Sequence, residues 1–143
     1  MFLVDANVLL HAYHPRSDDH DVCRRWLEDA FSGSVPVHLA WISILAFLRI
    51  STSARVFERP LGMAEARAIV ASWLAAPAVS VLESGERYWE VLSKLLVNSQ
   101  VSGALVTDAA LAALALEHGL TVCTTDRDFT RFAGLRVLNP TEG

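Results

Sequence analysis

The chain has 143 residues, 52% of them hydrophobic and 20% charged, with a net charge of −4. That length suits one domain spanning residues 1–143 and burying roughly two-thirds of its unfolded surface, and the composition excludes a disordered chain. The acidic balance argues against a protein that coats nucleic acid electrostatically, and apolar runs of only about ten residues are too short to cross a membrane.

The first element is a strand over residues 1–5, in MFLVDANVLL. Asp5 and Asn7 interrupt an otherwise apolar run, which costs free energy unless they cap, hydrogen-bond or bind something. The start lacks a basic n-region and carries Asp5, so it does not read as a signal peptide and the expected location is the cytoplasm. A loop with Pro15 and Ser17-Asp18-Asp19-His20 follows. The apolar spacing of Val22, Trp26, Leu27 and Ala30 then predicts a helix over 20–31, stopped by Ser32-Gly33-Ser34. Val35 to Ala40 reads as a second strand. Ser43 offers an N-cap to a helix through Leu45, Phe47, Leu48 and Ile50.

After the break at Pro60-Leu61-Gly62, a third helix runs from Ala64 to Ala75 and a short strand from Val79 to Leu82. A helix over 86–97 precedes the turn-like stretch from Asn98 to Gly103. Thr107-Asp108 opens the Ala-rich helix AALAALALEH, which Gly119 stops. Leu120 to Thr124 is a strand, TTDRDF a loop, and Leu135 to Leu138 a last strand. Strands alternating with helices of this length predict an α/β fold with a parallel sheet. Cys23 and Cys123 show no metal-ligand spacing and read as buried thiols. His11, His14 and His20 read as exposed loop residues, and no serine sits in a nucleophile elbow.

In an open parallel sheet, ligands bind beyond the carboxyl ends of the strands. Asp5 ends the first strand, Asp108 stands at a helix start, and Asp126 and Asp128 follow the strand LTVCTT. Singly, each has a structural explanation as a cap, a first-turn acid or a turn residue. Together they would converge on one sheet edge, where carboxylates repel unless a proton or cation intervenes. An oxygen-rich set without thiolates favours Mg²⁺ or Mn²⁺. Such an ion polarises a phosphate oxygen and activates a water, the chemistry of phosphodiester hydrolysis. Asn7 would hold a carboxylate or water by hydrogen bonds.

Asp5-Ala6-Asn7 after a strand, Asp108 on an Ala-rich helix and the late TTDRDF, in this order, resemble the PIN domain family. More narrowly they resemble the VapC-type ribonuclease toxins of bacterial toxin–antitoxin systems. WISILAFLRIST, VFERPL and the tail around LNP are similar to a mycobacterial subgroup of these toxins. The resemblance implies a three-layer α/β/α fold around a central parallel sheet, a homodimer, and Mg²⁺-dependent cleavage of RNA. It implies a small VapB-type antitoxin whose C-terminal segment enters the toxin groove. By position, Asp5, Asp108 and Asp126 would be metal ligands and Asp128 a further catalytic acid, with Asn7 and Thr125 orienting them.

One position departs from the family pattern. A glutamate usually follows a small residue on the helix after the second strand, and Phe47 stands there. Either the site holds one ion fewer or it relies more on Asp126 and Asp128; Glu58, beyond the helix, is a remote substitute. Arg49 and Arg55 offer contacts to RNA or antitoxin, or a solvated face. Phe47 also keeps open a catalytically weakened PIN domain that works mainly by binding antitoxin or RNA. A phosphatase of the haloacid dehalogenase type is poorly supported, because it needs an aspartate where Asn7 stands.

Overall fold

The computed structural model describes residues 1–142. Its sheet consists of β1 (Phe2–Val4), β2 (Val37–Leu39), β3 (Val79–Val81), β4 (Thr121–Cys123) and β5 (Arg136–Leu138), all parallel and ordered β3-β2-β1-β4-β5. The helices are α1 (Ala6–Ala12), α2 (His20–Ser32), α3 (Trp41–Ser51), α4 (Met63–Ala75), α5 (Tyr88–Asn98) and α6 (Leu105–His118), with a 3-10 helix at Arg127–Arg131.

Side chains alternate across each strand, so neighbouring residues build two separate cores. Val4, Leu39 and Cys123 face the layer of α1 to α4, with Val8, Leu27, Ile44, Phe47 and Trp73. Leu3 and Val122 face α5 and α6, with Leu95, Leu111 and Phe129. This is the three-layer α/β/α arrangement expected from the sequence. Both cysteines are free and buried in the first core, and burial pushes the Cys23 thiol up to about 11. No helix among the described residues is long and apolar enough to cross a membrane.

The chain leaves β1 for β2 and β3 on one side, then returns to β4 and β5 on the other. The strand order therefore reverses between β1 and β4, and a crevice opens there at the carboxyl ends. Asp5 N–H donates to the Cys123 carbonyl at 2.9 Å, which ties the two strand ends together at this point.

Several sequence expectations differ from the structure, among them the Ser43 cap: α3 begins at Trp41 with Ala40 at its N-cap position, and Ser43 is buried inside the helix. The stretch after Asp5 is a helix, not a loop: α1 starts directly at Ala6, and Val8, Leu9 and Ala12 are its buried face. His11 and His20 accordingly lie half-buried on helices, and the His20 ring meets the His11 carbonyl at 2.9 Å. Helix α6 begins three residues before Asp108, with Ala104 at its N-cap position. It ends as expected: Gly119 takes φ 69°, the left-handed conformation that glycine adopts without a Cβ penalty, and its N–H turns back to the Ala115 and Leu116 carbonyls.

Candidate active site

Each strand end at the crevice carries a polar side chain fixed by its neighbours. Asp5 caps α1, its Oδ1 accepting from Ala6 N–H at 2.8 Å, and its Oδ2 accepts from the Thr124 hydroxyl at 2.8 Å. Asn7 Oδ1 accepts from the Thr125 backbone N–H at 3.2 Å, which sets the amide so that Nδ2 donates to Thr124 Oγ1 at 3.1 Å. The Thr124 hydroxyl also accepts from Asp126 N–H at 3.0 Å. With these two donors pointing at it, Thr124 commits its single hydrogen to Asp5.

Thr124 is fully buried and links Asp5, Asn7 and Asp126 through one oxygen. The sequence reading named its neighbour, and Thr125 takes part only through its backbone. Strand alternation places Thr124, one residue past Cys123, toward the crevice; that was the available signal.

Asp126 opens the 3-10 helix by accepting from Asp128 N–H at 2.8 Å, which turns both carboxylates the same way. Asp108 comes from the first turn of α6. One carboxylate oxygen from each of Asp108, Asp126 and Asp128 lies within 4.8 Å of the other two. Asp5 stands beside this group rather than in it, but its charge acts on Asp108, and that of Asp126 acts on Asp5.

Burial pushes the Asp108 carboxyl up to about 6, aided by the negative charges of Asp5, Asp126 and Asp128 and opposed by Arg131. Asp5 is raised mainly by burial, against the hydrogen bonds from Thr124 and Ala6. Arg131 Nη2 lies 4.0 Å from Asp128, so a cation borders the acids on one side. The donors are all oxygen and mutually repelling, which fits a hard divalent cation and not zinc.

The remaining candidates lie elsewhere. Phe47 is fully buried among Tyr13 and Trp73, with ring centroids 5.9 and 4.7 Å away, so this position is core. Glu58 pairs with Arg16 at 3.1 Å and belongs to no acidic group that could hold a cation among the described residues. Arg49 and Arg55 are exposed at the end of α3 and just beyond it.

A family model described as PIN domain matches residues 2–135. Ribonuclease VapC37 of Mycobacterium tuberculosis (strain ATCC 25618 / H37Rv) is 43% identical over 136 residues, covering 95% of this chain and 94% of that one. Ribonuclease VapC31 of the same strain is 40% identical over 143 residues, covering 98% and 99%. Among solved structures, a toxin-antitoxin complex from Klebsiella pneumoniae contains a chain with a similar fold, at TM-score 0.66 and 17% identity over 98% of both chains. With the sheet, its reversal between β1 and β4 and the acids gathered there, these likenesses identify the chain as a member of the PIN domain family.

Proposed function

We propose that this protein is a metal-dependent endoribonuclease and the toxin of a type II toxin–antitoxin pair, acting in the cytoplasm. The observation that carries the reading is the convergence of Asp108, Asp126 and Asp128 beside Asp5 at the reversal of strand order. Asp5, Asp108, Asp126 and Asp128 would hold Mg²⁺, with Mn²⁺ as a substitute. When bound, such an ion polarises a phosphate oxygen and lowers the pKa of an attacking water. The chain's part is to hold its carboxylates rigid: Thr124 holds Asp5, Asn7 holds Thr124, and the Asp126 cap holds the Asp128 segment.

Arg49 and Arg55 supply exposed positive charge that an RNA backbone or an acidic antitoxin segment would meet. A small VapB-type antitoxin is the expected partner, supported by relatives carrying the VapC name. Homodimerisation is supported by the outer face of α3, where Trp41, Ile42 and Leu45 are 50%, 40% and 59% exposed. Contiguous apolar surface of this kind marks an interaction site.

The test is cleavage of cellular RNA by purified protein with Mg²⁺, followed by mapping of the ends. We expect 5′-phosphate and 3′-hydroxyl products, and loss of cleavage in Asp5→Asn and Asp108→Asn with the fold kept by circular dichroism. Full activity in both variants would overturn the reading.

A further inference from the structure

A groove of about 360 Å³ starts at Asn7 and runs along α1, away from the acids. Asn7, Leu10 and His11 follow the i, i+3, i+4 spacing of one face of α1, and His14, two residues past the helix end, carries the groove beyond it. Ile50, from the last turn of α3, and Val56 and Phe57, from the α3–α4 connection, form the opposite wall. The floor is apolar, and at its far end the His14 and Phe57 rings are paired with centroids 4.2 Å apart.

We propose that this groove seats the RNA base next to the scissile phosphate, stacked against the His14–Phe57 ring pair. The inference rests on the ribonuclease reading and adds to it a site of sequence preference. Three observations favour a base. Asn7, which lines one end of the groove, also donates to Thr124, the residue that holds Asp5, so an occupant of that end lies near the acids. Its end offers aromatic faces, on which any unpaired base can stack, and His11, whose Nδ1 is hydrogen-bonded to Ser17, has its Nε2 to meet a base edge. Arg59, exposed in the same connection, borders His14 and Phe57 on their other side, where Arg16 is paired with Glu58. Cations flanking a stacking surface are the pairing that single-stranded nucleic acid uses.

Steady-state cleavage of short single-stranded RNAs, varied on either side of the cut, tests this with purified protein and Mg²⁺. His14→Ala is expected to raise KM about tenfold, with kcat within about twofold, and to flatten the preference for one base beside the cut. His14→Phe should restore both, because it keeps a ring. Val56 is 57% exposed, so Val56→Trp fills the groove from its mouth without disturbing the core and should reproduce the His14→Ala effect. If wild type cleaves and all three variants keep its KM and base preference, the groove assignment falls and the ribonuclease reading stands. The same holds if the variants lose only affinity for the antitoxin, which would make this a peptide groove. If wild type cleaves no RNA with Mg²⁺ or Mn²⁺, both readings fall.

Discussion

Thr124 shows how a single hydroxyl can tune an acidic cluster it does not join. It donates to Asp5, accepts from Asn7 and Asp126, and lowers the proton affinity that burial gives Asp5. Thr124→Val keeps the shape and removes these bonds, leaving Asp5 Oδ2 without its donor. We expect the affinity for Mn²⁺, read by calorimetry, to fall roughly 10–100-fold, as when other residues that orient metal ligands are removed. Unchanged Mn²⁺ affinity would show that Asp5 is held well enough by Ala6 alone. The residue was hard to find in the sequence because it carries no charge and sits between a strand and a conspicuous acidic loop. Asp5, Asp108, Asp126 and Asp128 stood out for the opposite reason: each alone could serve as a cap or turn residue, but together they are charges gathered at one sheet edge.

At the scale of elements, the strands and longer helices were legible because their apolar spacing or their stops were strong. Gly119 marked the end of α6, and Ser32-Gly33-Ser34 marked the end of α2. Helix α1 was not legible. It is seven residues long, follows β1 with one intervening residue, and its N-cap is Asp5, whose carboxylate also faces the site. A signal that serves two purposes was read for only one of them. Helix α3 raised a different difficulty: Phe47 looked like a missing catalytic acid. In the structure Ser43, Ile44, Phe47 and Ser51 form the buried stripe of α3, and Phe47 packs edge-on to Trp73 on α4. Phe47→Glu therefore puts an unpaired carboxylate into a core and removes a fully buried ring. It should destabilise the protein by about 3 kcal/mol or more in urea unfolding, without increasing cleavage. A stable Phe47→Glu variant with tighter Mn²⁺ binding would mean that α3 can turn this position toward the acids.

For the whole molecule, the acids make stability depend on pH and on cations. Asp108 binds a proton more tightly in the folded chain than in the unfolded one, and Asp5 shifts in the same direction. Without a cation, their effect favours the fold most below the ordinary carboxylate range and is lost as pH rises through about 6. Asp108 is partly solvated, so about 1 kcal/mol remains after screening, or about 3 °C in melting temperature. In EDTA, melting at pH 5 should exceed melting at pH 7.5 by that amount, and millimolar Mg²⁺ should raise the pH 7.5 value selectively. A melting temperature that is flat with pH and indifferent to Mg²⁺ would count against a shared cation site.

The central position of β1 also affects how the protein is made. Asp5 and Asn7 are synthesised well before the hydroxyl that organises them, which lies 119 residues from Asp5 and 117 from Asn7. Contacts across such separations form late, since the intervening chain must first be closed into a loop. A ribosome that stops anywhere before β4 therefore releases a fragment with at most two of the four acids, Asp5 and Asp108, and nothing to complete the cluster. For a chain whose finished form would attack RNA, this means that interrupted synthesis yields inactive pieces, and the nuclease arises only once the final strands are in place.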